Sequence, residues 1–111
     1  MNKIERIRET LEDLILEDII VYDVRDKSPF FDYFVIASAK NPRQLKASIM
    51  RMKNTLEEDG YDTPTVEGRE SEQWVLIDTG DVIINVFSKS EREYYNIEKM
   101  WVDVPRLEKK R

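Results

Sequence analysis

The chain of 111 residues contains no cysteine and no histidine. The first absence excludes disulfides, thiolate nucleophiles and cysteine-ligated zinc or iron–sulfur centres, and it fits an intracellular setting. The second removes the side chain that most often works as a general base near neutral pH, and leaves the serines without an evident activating partner. Long apolar runs are also missing. The longest candidates, Ile19 to Tyr22 and Tyr33 to Ala37, fall far short of the roughly 20 residues a membrane helix needs. Met1 to Arg8 is charged, with neither the apolar core of a secretion signal nor a serine-rich transit pattern, so the expected location is cytoplasmic. There is no internal repeat, low-complexity tract or linker, and the length suits one core but not two.

What is present is a globular mixture, 41% hydrophobic and 37% charged, with a net charge of −5. The charge is unevenly placed: residues 1–55 sum to +1, residues 56–81 to −8 and residues 82–111 to +2. The middle segment sets Glu57, Glu58, Asp59, Asp62, Glu67, Glu70, Glu72, Asp78 and Asp81 against Arg69 alone. Such a surface repels a phosphate backbone, so little direct nucleic-acid contact is expected there and a basic protein partner fits better. The plainer alternative is that these carboxylates only keep a helix end and two loops solvated.

Ile4, Ile7, Leu11, Leu14 and Ile15 recur at helical spacing and predict a first helix. The runs Ile19 to Val24 and Tyr33 to Ala37 predict strands, the second buried on both faces and central in its sheet. Asn41, Pro42 and Gln44 open a second helix with a capping box, and Gly60 closes it. Thr65-Val66 is a short candidate strand. Trp74 to Ile77 and Val82 to Phe87 form a hairpin with Thr79 and Gly80 as its loop. Ser88 and Glu91 then start a third helix, with Tyr94, Ile97 and Trp101 on one face and Pro105 ending it. A single α/β (α+β) domain follows: a mixed sheet of about four to five strands flanked by three helices, over residues 1–105, with a charged, frayed tail at 106–111.

Seven blocks carry a resemblance in order and spacing: Asp18 to Val24, Asp32 to Ser38, Arg43-Gln44, Val66 to Gly68, Trp74 to Asp78, Gly80 to Ile84, and Arg92 to Tyr95 with Glu98 to Trp101. Together they resemble the ribosomal silencing factors, or Iojap-like family. The resemblance implies a sheet related to the nucleotidyltransferase fold. It also implies a translation repressor that docks on large-subunit ribosomal protein fourteen, blocks joining of the small subunit under nutrient limitation, and acts without catalysis. Two departures bear on this. Asn85 stands where the family generally has histidine, so a titrating role is impossible here, whereas a hydrogen-bonding role survives. Ala39 stands where glycine is common, which weakens a phosphate-cradling loop.

The competing reading is a metal-dependent nucleotidyltransferase relic that retains nucleotide binding. Such chemistry needs paired carboxylates for two metals. The chain offers only Asp32 at the matching strand, with Asp23 and Asp78 able to join it only by tertiary accident, and it has no Gly-Ser pair. No cofactor or metal is therefore expected. For binding, alternation puts Trp74 and Leu76 on one strand face and Val75 and Ile77 on the other. On residues alone Trp74 could cap the core or meet a partner; the resemblance favours the partner. Adjacent Tyr94 and Tyr95 diverge by about 100°, so one must be exposed, and Tyr95 is chosen. Trp101 is read as a core anchor. Trp74, Asp78, Asp81 and Tyr95, supported by Glu67 and Glu72, are thus the expected contact surface of a monomer or weak homodimer.

Overall fold

A computed structural model describes residues 1–109. Helix α1 (Lys3–Asp13) leads into strands β1 (Glu17–Asp23) and β2 (Tyr33–Ala39), then helix α2 (Pro42–Glu58). Strands β3 (Thr65–Glu67), β4 (Trp74–Asp78) and β5 (Val82–Ser88) follow, then the short helix α3 (Lys89–Tyr95) and a 3₁₀ helix (Ile97–Trp101). The sheet order is β1-β2-β5-β4-β3, antiparallel except for the parallel pair β2–β5. The mixed sheet and its three helices are as the sequence predicts; β2 lies beside the central strand, which is β5.

Period-two alternation divides the sheet into two unequal faces. Val21, Val35, Ala37, Val75, Ile77, Val82, Ile84 and Val86 form the main core with Ile4, Ile7 and Leu11 of α1 and Leu45, Ile49, Met52 and Leu56 of α2. On the opposite face Tyr22, Val24, Ile36, Phe87 and Val104 make a smaller cluster, over which Ile97 and Trp101 of the 3₁₀ helix pack. That covering reaches only part of the second face.

Local chemistry moves several boundaries. The first helix stops at Asp13, and Ile15, read as part of its apolar face, adopts φ +59° and is 66% exposed while Leu16 turns inward. Asn41 caps α2 as expected, accepting from the Gln44 N–H at 2.9 Å, but the Gln44 side chain accepts from the Lys40 N–H, not from Asn41. Its amide donates to the carbonyls of Leu14 and Ile15, tying the end of α1 to the start of α2. In the hairpin, Thr79 N–H donates to the Val82 carbonyl at 3.0 Å, so the two-residue loop is Gly80-Asp81, one position later than predicted. Asn96 takes a left-handed φ of +45° and ends α3, so Tyr94 and Ile97 do not share one helical face. The tail is not frayed at its start. Leu107 N–H donates to the Val21 carbonyl, Arg8 to the Leu107 carbonyl, and Lys109 pairs with Glu12 at 2.9 Å. The rest of the tail, residues 110–111, lies outside the described residues.

Candidate partner-binding face

The second sheet face presents cross-strand rows fixed by register. Trp74 pairs with Phe87; Glu67 pairs with Leu76, which pairs with Asn85; Thr65 pairs with Asp78, which pairs with Ile83, itself beside Phe34. Leu76, Ile83, Phe34 and Trp74 are only half-buried there, an apolar strip with Glu67 and Asp78 at its β3 side.

Trp74 is held in place from three directions. Its ring stacks on Phe87 with centroids 4.7 Å apart, and Tyr95 packs on it at 5.4 Å. Its indole N–H donates to Asn85 Oδ1 at 3.1 Å, while the Asn85 amide donates to the Val35 carbonyl at 3.4 Å. Asn85 is buried, so its polar atoms are directed into these two bonds. Gly68 lets the preceding loop fold close: its φ is +85°, and a Cβ there would lie 2.6 Å from the Trp74 carbonyl oxygen. Tyr94 and Tyr95 are 79% and 51% exposed and meet edge-on at 5.0 Å, so both tyrosines extend the aromatic shelf outward.

The shelf is positioned by Arg92. A bulge in β1, with Asp18 at φ +48°, turns the Asp18 carbonyl toward Arg92, which donates to it and to Ser38 Oγ, each at 2.8 Å. The same guanidinium donates from Nε and Nη2 to the two Glu98 oxygens at 3.1 Å. One buried cation therefore joins α3, the 3₁₀ helix, β1 and β2. The Arg92 hydrogen bonds hold the Glu98 carboxyl below the usual carboxylate range.

The six expected contact residues separate into groups. Trp74, Tyr95, Glu67 and Asp78 lie on or beside the open face, with Asp78 also accepting the Gly80 N–H at 2.8 Å. Asp81 turns toward α1, where Lys3 binds it at 2.5 Å. Glu72 is exposed in the β3–β4 loop. Ile83 and Phe34 were not selected from sequence, although Ile83 shares the phase of Asn85 and Phe87 in β5. Trp101 packs against Phe34 at 5.0 Å and Tyr22 at 6.4 Å, and its buried indole N–H meets no acceptor among the described residues, consistent with a ring that anchors by packing. As for metal ligands, no group of three or more Asp, Glu, His or Cys gathers among the described residues. Asp23 is taken up by Arg25 at 2.6 Å. No helix among the described residues is long and apolar enough to cross a membrane.

Comparison with known proteins agrees with this architecture. The model of a family described as "Ribosomal silencing factor during starvation" matches residues 1–111. The ribosomal silencing factor of Bacillus subtilis is 39% identical over 94 residues, covering 85% of this chain and 80% of its own. A mouse protein described as "Mitochondrial assembly of ribosomal large subunit protein 1" is 31% identical over 76% of this chain and 38% of its own. A crystal structure from Bacillus halodurans superposes with a TM-score of 0.83 at 33% identity, covering 96% of each chain. A second, from Chromobacterium violaceum, gives 0.83 at 36% identity, covering 91% of this chain and 87% of that one. With its full length matched and its fold shared, the chain belongs to the ribosomal silencing factor family.

Proposed function

We propose that the half-open sheet face docks on a basic surface of large-subunit ribosomal protein fourteen, and that the bound protein sterically prevents small-subunit joining and so represses translation. The carrying observation is the aromatic shelf of Trp74 and Tyr95 beside half-buried Leu76 and Ile83, with Glu67 and Asp78 adjoining it. Aromatic anchors next to aliphatic side chains supply affinity once desolvated, and the carboxylates steer a basic partner and disfavour acidic ones. Nothing in this action needs a reaction. Asp81 is held by Lys3 in the loop, which compensates its charge and keeps it off the shelf.

Trp74→Ala should weaken sedimentation with isolated large subunits by about 2 kcal/mol or more, roughly 30-fold in affinity. Retention equal to that of the parent would remove Trp74 from the interface. Adding the protein to dissociated ribosomes should lower the yield of joined particles, and an unchanged sedimentation profile would overturn the steric role.

A further inference from the structure

The charges on α2 run against its own dipole. A helix N-terminus favours acids and a C-terminus favours bases. Helix α3 follows this preference at both ends, with Glu91 in its first turn and Arg92 in its last, and α1 follows it at its start, with Glu5, though it ends on Glu12 and Asp13. Helix α2 has no acid in its first turn and no base in its last; Arg43 and Lys46 stand near its start, Glu57 and Glu58 at its end. From Ser38 to Leu56 the chain places Lys40, Arg43, Lys46, Arg51 and Lys53 with no Asp or Glu among them.

Because Leu45, Ile49, Met52 and Leu56 face the sheet, Arg43, Lys46 and Met50 point outward, and Met50 is 59% exposed. Lys53 flanks this stripe. Carboxylates neutralise the cluster only in part. Lys40 lies 3.5 Å from Glu17 and Arg51 3.9 Å from Asp13, whereas Lys46 donates to the Arg69 carbonyl, a bond that leaves its charge uncompensated. Arg43 and Lys53 form no ion pair among the described residues. The stripe from Arg43 to Lys53 spans about 15 Å of helix. It faces away from the open side of the sheet.

We infer that the outer face of α2 is a second contact surface, which takes the phosphate backbone of ribosomal RNA. Charge complementarity identifies the partner: cations in a row release counterions from a polyanion and need no base readout. In a family that works on ribosomes, RNA is the polyanion at hand. An anionic membrane fits less well, since the stripe has one exposed apolar side chain, Met50, and no aromatic. The acidic segment that argued against nucleic acid begins at Leu56, past these cations in sequence, and touches them where the Arg69 carbonyl meets Lys46. The inference rests on ribosome association and not on which protein the sheet face meets.

The test is sedimentation with isolated large subunits, and with large-subunit RNA stripped of protein, across a potassium chloride series. The combined variant Arg43→Gln, Lys46→Gln and Lys53→Gln should bind large subunits roughly tenfold more weakly near 0.15 M salt, with a salt slope shallower by about 2 to 3. The charge-conserving set Arg43→Lys, Lys46→Arg and Lys53→Arg should keep the parent slope. The neutral variant should melt close to the parent, because these side chains lie on the outer face of α2 and only Arg43, in the first turn, opposes the dipole. That separates a lost contact from a lost fold. Equal affinity and slope for parent and neutral variant would overturn the inference, as would binding to phosphatidylglycerol vesicles without binding to stripped RNA. Trp74→Ala in the same assay reads the sheet face independently, so a loss confined to one variant leaves the other surface standing.

Discussion

Asn85 and Trp74 show how a single buried amide can set the orientation of an exposed-side aromatic. The indole N–H has a neutral acceptor at 3.1 Å, and the remaining amide hydrogen is used on Val35. Asn85→Leu removes the acceptor and should cost about 1–3 kcal/mol in stability, with a changed Trp74 fluorescence emission as the local readout. Asn85→His should make stability pH-dependent. A neutral imidazole can accept the indole N–H and an imidazolium cannot, so its folded pKa falls below the ordinary value of about 6.5. The unfolded chain then binds more protons, and stability drops as pH falls through that range. Melting of this variant at about pH 5.5 and 7.5, against a parent with no histidine, checks the sign. From sequence, the phase of Trp74 and Leu76 could be read, and so could the survival of a hydrogen-bonding role at Asn85. The identity of its partner could not, because that depends on register between strands.

Elements held by Arg92 were the least legible part of the chain. Spacing alone joined Tyr94, Ile97 and Trp101 into one helical face, yet Asn96 in the left-handed region resets the phase between them. The apolar periodicity carried no sign of that break. By contrast Asn41, Pro42 and Ser88 announced their helices correctly, because caps are local chemistry. For the α3–3₁₀ unit, Glu98→Gln should weaken the pair with Arg92 and cost about 2 kcal/mol. Since Arg92 holds the folded Glu98 pKa down, the pair stabilises the fold fully above the unfolded carboxyl pKa of about 4.5 and loses this as pH falls through the lower folded value. The stability difference between parent and Glu98→Gln should therefore shrink in acid melts below about pH 4.5. A difference independent of pH would remove the charged pair as its source.

At the scale of the molecule, hydrophobic alternation and the hairpin were enough to anticipate a mixed sheet under helices, while the sheet order was not, because it rests on contacts far apart in the chain. The C-terminal strap was misread for a related reason: its residues are charged and look solvated, yet the backbone of Leu107 completes a bond with Val21 at the β1 edge. Deleting residues 106–111 should lower stability by about 1–3 kcal/mol, seen as a melting temperature lower by several degrees. The parallel pairing of β2 with β5 has a kinetic consequence. Val35 meets Ile84 in register only after α2, β3 and β4 have been made. Closing so long a loop costs entropy before the pairing rewards it, so the centre of the sheet forms late. On the ribosome that synthesises it, β2 therefore emerges with one edge unpaired until β5 has cleared the exit tunnel.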